Sequence, residues 1–173
     1  DLRLDFGDKQ FNQDPEFIVY YNYKQKGFEA YAGVFPRTKL RGMYSSAFVS
    51  DSVKYYDSNL EGFMLSYEGS NGYAEVAMDW LSRIGDERRE KFVLFSSGSM
   101  WTNNRKLFIG YDASMFHHSI SYTDDGVTDN ILAYPFAGFT LVGKSRAGQS
   151  VSYNNVIWVR AGWLQAMQRI RKE

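Results

Sequence analysis

The chain of 173 residues has the length of one domain, is 44% hydrophobic and has no cysteine, and its 20 basic and 20 acidic side chains cancel to a formal net charge of +0. That apolar content supports a packed core and excludes a disordered chain. The charge balance removes the basic field that nucleic-acid binding draws on, and the missing thiols exclude disulfides, thiolate catalysis and cysteine-ligated zinc. No run approaches the roughly 20 consecutive apolar residues of a membrane-spanning helix, so a membrane role would fall to strands or to surface attachment.

After an irregular acidic start containing Asp14-Pro15, the first predicted strand covers residues 17–23, and Lys24-Gln25-Lys26-Gly27 turns it into a second at 28–35, ended by Pro36. The chain opens at Asp1 without an apolar leader, as either a cleaved export signal or a trimmed sequence would leave it. Residues 37–58 are polar, broken by Gly42, Ser45, Ser46, Ser50 and Asp51, and read as a long loop. The clearest hairpin follows, with strands at 60–67 and 73–80 around a Gly/Ser/Asn turn at 68–72. A charged connection at 83–91 leads to strands at 92–101 and 107–116, joined by Thr102-Asn103-Asn104-Arg105. Residues 117–129 read as a polar loop, 131–142 and 156–165 as strands, and 143–153 as a Gly/Ser-rich connection. Residues 163–173 have two readings, strand or amphipathic helix, because Leu164, Met167 and Ile170 also fall at helical spacing.

Side chains alternate along a strand at period two. One face therefore collects Phe28, Ala30, Ala32 and Val34; Phe63, Leu65 and Tyr67; Val76, Met78 and Trp80; Leu107, Ile109 and Tyr111; and Ile157, Val159, Ala161 and Trp163. The other is expected to hold Glu29, Tyr31, Glu61, Glu75, Asp79, Asp112, Ser114 and Arg160. In a soluble sandwich or jelly roll the apolar set is the core and the charges face water; in a membrane barrel the apolar set meets lipid and the charges line the interior. Alternation fits both.

The barrel is favoured by connections that alternate between short and long, and by an aromatic content of 17%, concentrated near strand ends at Tyr23, Phe35, Tyr67, Tyr73, Trp80, Trp101 and Trp163, where an interfacial girdle would need it. The expected fold is an all-β, antiparallel up-and-down meander, with residues 1–173 forming a single β domain that is a transmembrane β-barrel or a piece of a larger one. The lumen-facing candidates are Glu29, Glu75, Asp79, Asp112 and Arg160.

Three segments, Tyr31-Ala32-Gly33-Val34-Phe35-Pro36-Arg37, Ser50-Asp51-Ser52-Val53-Lys54-Tyr55-Tyr56-Asp57-Ser58-Asn59-Leu60-Glu61-Gly62 and Arg89-Glu90-Lys91-Phe92, resemble wall and loop motifs of porin-like outer-membrane β-barrel proteins of the Bacteroidota. In those proteins a G-x-F-P-R strand end precedes a loop, and a D-x-N-x-E-G entry opens the next hairpin. The resemblance covers residues 17–165. It implies an outer-membrane location, outer-membrane lipid as a partner and passage of small polar or charged solutes, and it assigns no chemistry. One departure is the C-terminus, Arg169-Ile170-Arg171-Lys172-Glu173, where such barrels commonly end on an aromatic residue. Eight strands alone would leave a lumen filled by side chains, so a channel needs more.

Candidate chemistry is thin. His117 and His118 are adjacent, point to opposite sides of a strand and are the only histidines, so no metal site is expected. Glu75 and Asp79 stand about 13 Å apart by strand rise, beyond glycosidase spacing; a cross-strand pair of Glu61 with Glu75 is the strongest enzymatic arrangement. Residues 123–129 have the composition of a calcium loop without its ladder of ligands. Gly143-Lys144-Ser145 lacks the upstream glycine of a phosphate loop, and Ser96-Ser97-Gly98-Ser99 lacks a partnering histidine. No cofactor and no catalytic set is expected. The functional expectation is a porin-like outer-membrane barrel; the alternatives are a periplasmic or secreted β-sandwich that stacks glycans on Trp80 or Trp101, and a glycoside hydrolase.

Overall fold

A computed structural model describes residues 17–82, 90–119, 126–142 and 157–172. They form one antiparallel sheet in which each strand pairs with the next: β1 (Tyr20–Gln25), β2 (Phe28–Pro36), β3 (Asn59–Glu68), β4 (Gly72–Ser82), β5 (Lys91–Trp101), β6 (Leu107–Ser119), β7 (Gly126–Val142) and β8 (Ile157–Gly162), with β9 (Gln165–Lys172) also on β7. This is the all-β up-and-down meander expected from the alternation. Among the described residues β1 and β8 have no further strand partner on their outer sides.

The tight turns follow from local chemistry. Lys26 and Gly27 take φ of 47° and 83°, the left-handed pair that joins β1 to β2 with the twist of the flanking strands. A Cβ on Gly27 would run into the Glu68 carbonyl, so glycine is needed there twice over.

Two elements differ from expectation, and a third decides between the two readings the sequence left open. The first strand starts at Tyr20 rather than residue 17. Both described ends of the polar stretch 117–129 are strand: β6 runs on to Ser119 and β7 begins at Gly126, with His117 opposite Asp129. The C-terminal segment is strand rather than helix. Phe136 pairs with Gly162 and Ala133 with Gln165 in one unbroken register, so β8 and β9 are a single strand interrupted opposite Pro135. Proline has no N–H to offer the ladder, and only its carbonyl is used, accepting from the Trp163 amide at 3.0 Å.

The long 37–58 connection is ordered and lies on the sheet. It starts with a 3-10 turn at Arg37–Lys39 and holds one short helix, α1 (Asp51–Tyr56), whose N-cap Ser50 accepts from the Val53 amide at 3.2 Å. Its base is closed by the Arg37 amide donating to the Ser58 carbonyl at 2.8 Å. Tyr44 and Val49 from this segment pack with Tyr31, Phe35, Leu60, Met64, Ala77 and Phe95 of the sheet to make the core. The calcium-like residues 123–125, Gly143-Lys144-Ser145 and the charged run at 83–89 lie outside the described residues.

Candidate functional site

Among the described residues the segment 37–58 covers the β2–β5 part of the ionic face, and the apolar face is left bare. One row of paired residues crosses the covered face from strand to strand: Glu29, Ser66, Glu75, Ser97, Asp112 and Tyr134. Ser97 is fully buried, and Glu29, Ser66, Glu75 and Asp112 are 8% exposed or less. Burying such groups costs free energy unless each is hydrogen-bonded or paired; the segment supplies partners for Glu29 and Glu75, Ser97 and Asp112 are partnered within the sheet, and Ser66 Oγ has no partner among the described residues.

Glu75 is the central anchor. Its carboxylate accepts from the backbone amides of Arg41 and Gly42, both at 2.7 Å, and from the Tyr44 hydroxyl at 3.0 Å. The Arg41 guanidinium reaches Glu29 at 2.7 Å and also pairs with Glu68. Burial alone would lower the Arg41 pKa, but hydrogen bonds to Glu29 and Glu68 outweigh it and hold the guanidinium above the ordinary arginine value. Burial, followed by the Glu75 charge, pushes the Tyr44 hydroxyl far above the usual tyrosine range, so it donates as a neutral phenol.

Arg37 is a second anchor. Its guanidinium donates to Asp57 at 3.0 Å, to the Asn59 carbonyl at 2.9 Å and to Asp79 at 2.7 Å, while the other Asp79 oxygen accepts from the Glu61 amide at 3.1 Å. Further along the face, Ser97 donates to Asp112 at 2.7 Å and shares a 2.8 Å hydrogen bond with the Tyr73 hydroxyl. Arg160 stands 4.0 Å from Asp112.

Glu29, Glu75, Asp79, Asp112 and Arg160 thus share one face, as period two requires. Glu61 does not. It alternates with Phe63 and Leu65 and belongs to the bare face, so Glu61 and Glu75 lie on opposite sides of the sheet and cannot form the paired carboxylates of a glycosidase. The aromatic candidates also divide. Tyr23, Tyr67, Trp80 and Trp163 lie on the bare face, with Tyr67 55% and Trp163 71% exposed. Phe35 is fully buried in the core, Tyr73 bonds Ser97, and Trp101 pairs with the buried Phe108. Those three belong to the covered face and are no part of a girdle on the other.

The bare face is apolar over a measurable height. On β7 six successive positions of that face, Ile131, Ala133, Pro135, Ala137, Phe139 and Leu141, carry no polar side chain. Ten steps at about 3.4 Å, tilted as barrel strands are, give roughly 25 Å, the height of the apolar band of outer-membrane barrels. Ile109 is 62% and Leu141 58% exposed within this band. One margin is polar and aromatic: Trp80, Phe92, His117, Asp129 and Arg169 follow one another across the strands, with His117 stacked on Phe92 at 4.4 Å and hydrogen-bonded to Asp129 at 2.7 Å. His118 points to the other side. Among the described residues no three His, Asp or Glu side chains are grouped to hold a metal ion, and no helix is long and apolar enough to cross a membrane.

The segment's role was missing from the sequence reading. Its only signal was chemical complementarity: two arginines and a tyrosine in a polar connection, facing carboxylates spaced along one strand face. Compared with known proteins, the chain matches no family model, and neither a curated protein nor a solved structure matches it significantly.

Proposed function

We propose that this chain forms part of the wall of an outer-membrane β-barrel whose interior passes small polar or charged solutes. The observation that carries the reading is where the exposed apolar surface lies: the buried carboxylates Glu29, Glu75, Asp79 and Asp112 are on the same face as the 37–58 segment, and most of the exposed large apolar side chains are on the opposite face, with ionic groups there at the Asp129 margin and at Glu61. In water, a bare apolar surface across this many strands is far larger than a soluble monomer tolerates. Against acyl chains it is the required surface, and the aromatic margin at Trp80 and Phe92 falls where the headgroups would begin.

In this reading the 37–58 segment fills the interior next to β2–β5, and the solute path runs along the inner wall of β5–β8. Mixed charges such as Asp112 and Arg160 set the local field there. The open sides of β1 and β8 pair with further strands, which gives the wider barrel that a lumen needs. The test is fractionation of the natural full-length protein with heat-modifiable migration on a detergent gel. Outer-membrane fractionation with a heat shift is the expected result; a protein that stays soluble and monodisperse without detergent overturns the proposal. Liposome swelling then tests the channel by itself.

A further inference from the structure

The covered face has a second sector, over β5–β8, that the 37–58 segment does not anchor to, and its side chains form a pavement of rings. Phe136 lies over Gly110, Phe108 over Gly138 and Tyr134 over Gly162, so closely that a Cβ on any of these glycines would collide with the ring. Each ring is thereby pressed against the backbone of the wall. Trp101 extends the pavement at 4.3 Å from Phe108, and Trp158 meets Phe108 edge-on at 6.1 Å.

Arg160 stands on this pavement. Its guanidinium is 4.9 Å from the Phe136 ring, 5.5 Å from Tyr134 and 5.6 Å from Trp158, and its side chain is 18% exposed. Cation–π contacts of this kind fix the plane of a guanidinium without using its N–H groups. Asp112 lies only 4.0 Å away, so the pair cancels in charge while most of the Arg160 donors stay available. Trp101 Nε1 and Thr140 Oγ1 on the same face are buried without a hydrogen-bond partner among the described residues, as Asn59, Ser66 and Trp80 are elsewhere, so the donors that this sector presents are those of Arg160.

We propose that this sector is a subsite for a neutral oligosaccharide. The inference rests on reading the covered face as a barrel interior, and it names the solute class. Sugar rings present apolar C–H faces to aromatic surfaces and a fringe of hydroxyls to fixed planar donors, and this wall offers both side by side. A charged solute gains little, because Asp112 offsets Arg160. An aromatic solute would leave the Arg160 donors unmatched.

The test is a titration of the purified full-length protein in detergent with neutral hexasaccharides of glucose and of mannose, followed by tryptophan fluorescence, with a hexauronate as the charged arm. Saturable binding of at least one neutral hexasaccharide is expected, weakened tenfold or more in Trp158→Leu and in Arg160→Lys, and unchanged in Trp163→Phe on the opposite face. Arg160→Lys keeps the charge, and circular dichroism checks that each variant retains its strands. No saturable binding, preference for the hexauronate, or binding that survives both inner-wall substitutions overturns the subsite. Outer-membrane fractionation without sugar binding removes the subsite and leaves the barrel; sugar binding by a protein soluble without detergent does the reverse.

Discussion

Placing an arginine at Ile109 separates a lipid-facing surface from a water-facing one. Ile109 is 62% exposed in the middle of the bare face, opposite Ala137 on β7 and Met100 on β5. On a water-facing surface such a change alters stability by about 0.5 kcal/mol or less in either direction, since most of the side chain touches nothing. At the middle of a bilayer a cation on a barrel wall costs about 2–4 kcal/mol, falling to about 0–1 near the interface where the long side chain snorkels out. At about 1.4 kcal/mol per tenfold, the larger cost is a drop of roughly 30- to 700-fold in the folding equilibrium. Leu107→Arg is the companion. It sits beside the 102–105 turn at the end of β6, 57% exposed, and is expected to lose about 1 kcal/mol or less. The assay is urea unfolding of the full-length protein from lipid vesicles with linear extrapolation. Equal, negligible effects at Ile109 and Leu107 would refute the assignment of the bare face to lipid.

Glu75→Leu removes the acceptor for the Arg41 and Gly42 amides and the Tyr44 hydroxyl. At about 1–3 kcal/mol per buried donor left unpaired, the 37–58 segment should lift from the sheet, and hydrogen exchange at Arg41 and Gly42 should accelerate at least 100-fold; unchanged exchange contradicts the anchor. Arg37→Leu leaves Asp79 buried without its counter-charge and is expected to cost about 3–5 kcal/mol by denaturant unfolding, against about 1 kcal/mol or less for Lys54→Leu, whose partner Asp51 is exposed. Gly42→Ala puts a methyl group 2.5 Å from the Tyr44 ring and 2.7 Å from the Ser97 Cβ, and should destabilise by about 1–3 kcal/mol in the same measurement. Phe35→Ala, in the middle of the core, should cost about 3–5 kcal/mol, and Tyr67→Ala on the bare face should cost much less in detergent.

Most of the strand order was legible because β4 alternates sharply, Val76, Met78 and Trp80 against Glu75 and Asp79, and because short polar turns bound the hairpins; β5, with Phe92-Val93-Leu94-Phe95 followed by Ser96-Ser97-Gly98-Ser99, has no such contrast and was marked by its apolar run. The last strand was not, because β9 is polar on both faces: Gln165, Arg169 and Arg171 fall on one side and Gln168 on the other, so helical spacing of Leu164, Met167 and Ile170 competes with it. His117 to Asp129 looked like a loop for the same reason. His117 and His118 are paired with Asp129 and Thr128 across β6 and β7, which composition does not reveal.

Of the site, the shared face of Glu29, Glu75, Asp79, Asp112 and Arg160 followed from parity alone. Parity also places Phe35 with Tyr31, Tyr73 with Glu75 and Glu61 with Phe63, because the face a side chain takes depends on its parity and not on its nearness to a strand end. The inward fold of residues 37–58 is a tertiary fact. Nothing local to the segment tells whether Arg37 and Arg41 face water or reach carboxylates that are 12 to 42 residues away in sequence.

The central claim, that the bare face meets lipid and the covered face an aqueous interior, is tested most directly by site-specific fluorescence quenching. These 173 residues hold no cysteine, so with any cysteine elsewhere in the full-length protein replaced, single labels can be placed at Ile109→Cys and Val159→Cys on the bare face and at Ser99→Cys on the covered face. With the full-length protein in vesicles, the account expects quenchers carried on the lipid tails to reach the labels at 109 and 159 and not the one at 99. Labels at 109 and 159 that respond only to a water-soluble quencher would contradict it.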